Sequence, residues 1–217
     1  MHGASIPVCE IFKSLEGETT RAGLPCCFIR TAGCNLRCSY CDTRYAVNGE
    51  SSTLEAGEIV RQVRDMGPKL ACLTGGEPLL HAAAPALCTG LIESGLTVLV
   101  ETNGTLDVRG LPEGAVRILD VKCPGSGECG SLMEENLDAL RPFDEVKFVL
   151  TDREDFDWAR EMAEKHNLLD RCHVLLSPAS GHLAPGKAAD WLVEWGASAR
   201  LQLQIHKLLW PHAGRGV

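Results

Sequence analysis

Three cysteines at C-x3-C-x2-C spacing, Cys34, Cys38 and Cys41, lie within the stretch Thr31–Thr43. Thiolates are soft ligands suited to iron–sulfur clusters and zinc, and spacing this short lets one loop wrap all three around a metal centre. Their number is informative. A structural zinc site closes with four ligands, and a cubane cluster usually takes one thiolate per iron, four in all. Three thiols leave one metal corner for a ligand that is not protein. The alternative is a zinc loop completed by a distant His or Cys, but no second Cys pair or H-x3-H follows at zinc-finger spacing.

The elements around this loop must place it. The run Cys26–Thr31 reads as a strand, so the thiols fall on the loop that leaves it. Alternation puts Cys26, Phe28 and Arg30 on one face. A buried arginine there needs an anion, either an internal acid or a substrate carboxylate. Upstream, Val8–Phe12 reads as a first strand, followed by the polar loop Lys13–Thr19. Downstream, Thr53–Met66 predicts an amphipathic helix capped by Ser52 or Thr53. Strands are expected at Lys69–Thr74, Thr97–Glu101, Val116–Val121, Glu145–Leu150, Cys172–Leu176 and Arg200–His206. Helices are expected at Ala82–Glu93, Leu132–Leu140, Asp155–Lys165 and Pro185–Glu194.

This alternation predicts an α/β fold, a mostly parallel sheet covered by outer helices. Polar or glycine-rich segments follow the strands: the cysteine loop, Gly75-Gly76-Glu77-Pro78, Glu101-Thr-Asn-Gly104, Lys122–Gly127 and Ser177–Ser180. Parallel sheets collect such segments at one edge, where the site lies. About six βα units fall short of a full eight-unit barrel, so an incomplete (partial) βα barrel is expected.

Composition sets limits. The 217 residues carry 21 basic and 29 acidic side chains, a net −8. That argues against a general nucleic-acid surface, which works by neutralising phosphates. No apolar run approaches membrane-spanning length, and the first residues show no signal-peptide pattern. Eleven cysteines then point to ligands or free thiols in a reducing cytoplasm, with no disulfide framework. The eight outside the cluster motif are expected to pack as small apolar residues.

The motif Cys34–Cys41, with the aromatic Tyr40 just before its third cysteine, resembles the radical S-adenosylmethionine (SAM) superfamily. Several further segments narrow this to a resemblance to the 7-carboxy-7-deazaguanine synthase family, from about residue 8 to the C-terminus. They are Ser14-Leu-Glu-Gly-Glu18, Arg30, Cys41-Asp-Thr43, Thr74–Pro78, Glu101–Gly104, Asp120–Gly127 and the His206-Lys…Arg-Gly-Val217 ending.

The resemblance implies a partial barrel of the radical SAM type. One domain, 1–217, would hold an N-terminal strand and substrate loop (1–25), a cluster loop (32–45) and a tail (207–217) over the site. It implies conversion of 6-carboxy-5,6,7,8-tetrahydropterin to 7-carboxy-7-deazaguanine with loss of ammonia, on the way to queuosine and related deazapurines. A 4Fe–4S cluster on Cys34, Cys38 and Cys41 would cleave SAM to a 5′-deoxyadenosyl radical, with SAM regenerated and so used catalytically. Mg²⁺ would sit on Thr43. SAM would be held by Gly75, Gly76, Tyr40, Ser126 and Ser177. The pterin would meet Leu15, Glu16, Gly17, Arg30, Thr74, His206 (alternatively a structural histidine) and the Val217 carboxylate, with Glu101 as a catalytic carboxylate or, alternatively, a partner of Lys122 or another internal cation. An electron donor such as flavodoxin or ferredoxin, a homodimer, and neither nucleic acid nor membrane complete the expectation. The runner-up is a small radical SAM activase placing a glycyl radical on a partner protein.

Overall fold

The computed structural model describes residues 4–217, apart from the side chain of Asn48. Among the described residues, nine strands form one sheet: β1 (Ser5–Leu15), β2 (Pro25–Thr31), β3 (Ser52–Glu55), β4 (Leu70–Gly75), β5 (Thr97–Thr102), β6 (Ala115–Val121), β7 (Glu145–Leu150), β8 (His173–Pro178) and β9 (Arg200–Leu201). Their order is β3-β1-β2-β4-β5-β6-β7-β8-β9. From β2 to β9 the pairing is parallel, and β1 runs antiparallel to both neighbours. The sheet does not close on itself, which makes it the expected partial barrel.

Helices α1 (Arg44–Asn48), α2 (Ala56–Met66), α3 (Ala84–Glu93), α4 (Glu135–Asp138), α5 (Arg153–Lys165), α6 (Pro185–Trp195) and α7 (Ile205–Leu209) fill the connections. Two apolar clusters divide the sheet by face. Cys27, Ile29, Ala71, Leu73, Val98 and Val100 belong to the large core that includes α2 and α3. Their alternates Cys26, Phe28, Leu70, Cys72, Leu99, Val116 and Ile118 form a smaller inner cluster.

Three expected elements differ. Ser52–Glu55 is not the first turn of a helix. It pairs with Ser5–Val8 and covers the β1 edge, whose backbone groups would otherwise lack partners, so the helix begins at Ala56. Leu132–Leu140 shrinks to a single turn, because Met133 N donates to Gly104 O (3.0 Å) and Asn136 Nδ2 donates to Gly104 O and Leu106 O (2.8 Å each). The strand expected at Arg200–His206 stops at Leu201. Gly17 O then accepts from Ile205 N at 3.0 Å, which starts α7 against the loop after β1. Of the eight cysteines outside the motif, six are buried as expected; Cys9 is half-buried and Cys129 is exposed.

Candidate active site

Towards their C-terminal ends, the inner faces of the strands change from apolar to polar. Phe28 gives way to Arg30, Cys72 to Thr74, Leu99 to Glu101, and Ile118 to Asp120 then Lys122; Lys147 and Val149 follow on β7. All of these polar groups line one cavity of about 530 Å³, shared with Leu15–Glu18, Cys34, Cys38, Tyr40–Thr43, Gly75, Gly76, His206, Lys207 and the tail from Trp210. A volume of this size suits small-molecule and cofactor ligands.

Loops after three other strands brace the cysteine loop. Gly76 N donates to Thr31 O (3.1 Å) and Glu77 N to Gly33 O (2.8 Å). A Cβ on Gly76 would drive into the Gly33 carbonyl and come within 3.0 Å of Cys34 Cβ, while Gly75 sits at φ +141° against Thr31. These glycines are therefore needed for close approach of the cysteine loop, beyond any contact with a ligand. Buried Glu77 accepts from Leu79 N (2.9 Å), Thr102 Oγ1 (2.8 Å) and Asn103 N (2.7 Å). Asn103 Nδ2 in turn donates to Asn35 Oδ1 at 2.9 Å and lies 4.0 Å from Cys34 Sγ.

Ser126 and Ser177 depart from expectation. Ser126 is fully buried, its hydroxyl donating to Cys123 O at 2.6 Å and accepting from Glu128 N at 3.0 Å. Its contribution is the carbonyl that accepts from Ser39 N at 2.9 Å, between the second and third thiols. Ser177 is buried within β8, and Ala179 and Ser180 take its place on the cavity wall.

Half-exposed, the three motif thiols reach the cavity. Burial raises the Cys34 and Cys38 pKa values, and Lys122 opposes the rise at both. Leu36 N points at Cys34 Sγ (3.5 Å), and Thr43 Oγ1 lies 3.8 Å from Cys41 Sγ. Among the described residues, no three His, Cys, Asp or Glu side chains converge on a point as a single ion requires. A cluster that gives each thiolate its own iron does not need such convergence. Tyr40 lies with its ring centroid 5.8 Å from Lys122 Nζ and its hydroxyl buried without a partner; burial raises its pKa.

Arg30 pairs with an internal acid, the first of its two expected partners. Its Nε donates to Glu10 Oε1 at 2.8 Å, an oxygen that also accepts from Tyr45 Oη at 2.6 Å. No hydrogen bond among the described residues uses its two Nη atoms, and the residue lines the cavity. Glu101 does not pair with Lys122, whose ammonium sits 2.8 Å from Asp120. Instead Thr74 Oγ1 donates to Glu101 Oε2 at 2.8 Å. Burial raises the Glu101 pKa, with Lys147 opposing. Glu16 is buried with Oε2 unpartnered, and burial together with Glu101 holds its carboxyl well above the usual range. His206 lies on α7, its imidazole filling the space a Gly17 side chain would need; burial lowers its pKa.

Two ionic links were missed from sequence. Lys147 Nζ lies 2.7 Å from Glu18 Oε2 and 3.5 Å from Asp120 Oδ2. Lys207 Nζ lies 2.6 Å from Asp42 Oδ2 and joins the tail to the cysteine loop. A lysine inside the apolar run Val146–Leu150 was the available signal for the first. Nothing local signals the second.

Glu101 carries a pH prediction. A carboxyl whose folded pKa lies above its unfolded one contributes fully below the unfolded value, near pH 4.5, and loses that contribution as pH rises through the folded pKa. Glu101→Gln is therefore expected to melt higher than the parent at pH 8, with the gain vanishing near pH 4. Thermal denaturation across that range checks it, and a variant less stable at pH 8 would reverse the assigned sign.

The partial barrel and its thiol loop define a radical SAM protein. The Radical SAM superfamily profile matches residues 28–123. The chain is 41% identical to the 7-carboxy-7-deazaguanine synthase of Koribacter versatilis, over 97% of this chain and 99% of that one. It is 36% identical to that of Chlorobaculum tepidum, over 99% and 98%. The chain belongs to the 7-carboxy-7-deazaguanine synthase family. Its fold matches QueE from Escherichia coli with a TM-score of 0.78 at 20% identity, over 93% of this chain and 94% of that one. SuiB of Streptococcus suis, in a structure bound to S-adenosylmethionine, matches at TM-score 0.57 and 15% identity over 79% and 48%. Membership of the superfamily implies a 4Fe–4S cluster and SAM.

Proposed function

We propose that this chain converts 6-carboxy-5,6,7,8-tetrahydropterin to 7-carboxy-7-deazaguanine with loss of ammonia, for queuosine and related 7-deazapurines. The observation that carries this reading is a cavity bordered by three thiols, an arginine whose Nη atoms make no hydrogen bond among the described residues, buried carboxyls and the segment from Trp210 to Val217. When bound, the cluster on Cys34, Cys38 and Cys41 and the SAM beside it supply hydrogen-atom abstraction. The remaining work belongs to side chains.

Arg30 is oriented by Glu10 through Nε, so its Nη edge is set for the substrate carboxylate before binding. Leu15, Glu16 and Gly17 would meet the 2-amino-pyrimidinone edge, where the Glu16 carboxyl or a backbone carbonyl can accept. His206 packs beside Gly17, and Val217, which lines the same cavity, would meet the pterin. Thr74 fixes Glu101 through Oε2, which leaves Oε1 to hold or release a proton as ammonia departs. Gly75, Gly76 and Tyr40, which line the cavity beside the thiols, would hold SAM. Thr43 offers a hard oxygen for Mg²⁺, an ion that takes few protein ligands together with substrate oxygens.

The tail from Trp210 to Val217 lines the same cavity, so the space suits a small molecule more than a partner protein's glycine loop. That favours the synthase over a glycyl-radical activase. A flavodoxin- or ferredoxin-type donor, a homodimer and a cytoplasmic location accompany the reading. Among the described residues, no helix is long and apolar enough to cross a membrane.

Isothermal titration of cluster-loaded, SAM-bound protein with 6-carboxypterin is expected to show binding that Mg²⁺ strengthens. Absence of pterin binding would sink the reading. Thr43→Ala is expected to keep full iron content, lose the response to Mg²⁺ and fall about tenfold in kcat/KM, the loss of one polar contact. An unchanged Mg²⁺ response would remove Thr43 from the metal site.

A further inference from the structure

The inner face of β7 carries two charged residues where an apolar strand would carry none. Glu145, fully buried, accepts from Thr20 N (3.1 and 3.2 Å) and Thr20 Oγ1 (2.6 Å) and pairs with Arg21 Nη1 (3.2 Å). Two residues on, Lys147 pairs with Glu18 at 2.7 Å. The loop that leaves β1 thus crosses the barrel interior and lies along β7, five places away in the sheet order. Between its two attachment points stands Thr19, buried and at φ +60°. A β-branched residue resists that conformation, which persists only when its surroundings enforce it.

We infer that Lys147 and Glu145 are positioning residues, which clamp the loop Glu16–Leu24 across the barrel and hold Leu15, Glu16 and Gly17 on the cavity wall. Their opposite signs set the register. A slip of two residues would bring Glu18 against Glu145, and like charges repel at that range. The clamp extends to the tail, because Gln204 Nε2 donates to Glu18 Oε1 at 2.9 Å and Gly17 O accepts from Ile205 N at 3.0 Å. This deepens the proposed pterin reading and rests on it for the kinetic part of its test.

The loop contains its own reporter, since trypsin cleaves after Arg21. In the reconstituted full-length protein, Lys147→Met and Glu18→Gln are each expected to speed that cleavage about tenfold, with the double variant no faster than the singles, as one shared interaction requires. KM for the carboxytetrahydropterin is expected to rise about tenfold while the SAM Kd stays unchanged. Thr20→Val loosens the Glu145 end without stranding a charge, and is expected to act the same way if Lys147→Met does not fold. Protection of Arg21 equal to the parent, additive effects in the double variant, or a released loop with unchanged KM would each overturn the clamp. If the parent protein does not turn over the pterin, the functional reading fails and the proteolysis still decides the clamp.

Discussion

Gly76→Ala is expected to lose its cluster almost as completely as Cys38→Ala, although it removes no ligand. The Cβ would occupy the position of the Gly33 carbonyl and press on Cys34 Cβ. Backbone atoms cannot rotate away as the end of a side chain can. The segment Gly33–Cys34 must move, and it is tied down by Glu77 N on Gly33 O (2.8 Å) and by Asn103 on Asn35 (2.9 Å). Displacement of one thiol by about an ångström is enough to spoil a three-point attachment. Iron per chain should fall severalfold after anaerobic reconstitution, and SAM cleavage by about a hundredfold or more. The far-ultraviolet circular dichroism should stay at the parent's, because the sheet is untouched. Full iron content and parental cleavage would show that the two loops can separate freely.

Arg30→Lys should be nearly as damaging for a different reason. Arginine serves two directions here, holding Glu10 at 2.8 Å through Nε while its Nη edge faces the cavity. Lysine has a single ammonium and must choose one of them. If it stays with Glu10, the substrate carboxylate loses a bidentate partner. If it turns to the substrate, the Glu10 carboxylate loses its cation and keeps only the Tyr45 hydroxyl, which is destabilising. kcat/KM for the carboxytetrahydropterin should drop about a thousandfold, mostly in KM, the scale on which a charged hydrogen-bond pair is removed. SAM cleavage without substrate should be unaffected. Equal losses in both reactions would place Arg30 at the cofactor instead.

Much of this was legible in sequence, for a physical reason. Short apolar runs separated by helical patterns placed the strands, and the polar or glycine-rich segments that follow them located the site at one edge. The structure adds that on the inner face an apolar residue gives way to a polar one, Phe28 to Arg30, Cys72 to Thr74 and Leu99 to Glu101. The cysteine spacing and Gly75-Gly76 are local features whose chemistry can be read from a few residues. Misreadings arose where distant partners decide the outcome. Ser52–Glu55 has helical spacing, but the open β1 edge recruits it as a strand. Ser126 and Ser177 stand after strands in promising loops, yet one hydroxyl closes its own turn and the other is buried in the sheet. His206 sits in a stretch with strand-like alternation, and the Gly17 carbonyl turns it into a helix. The pairs Lys147–Glu18 and Lys207–Asp42 join residues more than a hundred positions apart, a distance at which no sequence pattern speaks.

The most direct measurement is mass spectrometry of the reduced, reconstituted protein incubated with SAM, Mg²⁺ and 6-carboxy-5,6,7,8-tetrahydropterin. The account predicts 7-carboxy-7-deazaguanine and ammonia in equal amounts, in many-fold excess over any SAM consumed. SAM cleaved to methionine and 5′-deoxyadenosine, with the pterin recovered intact, would contradict it.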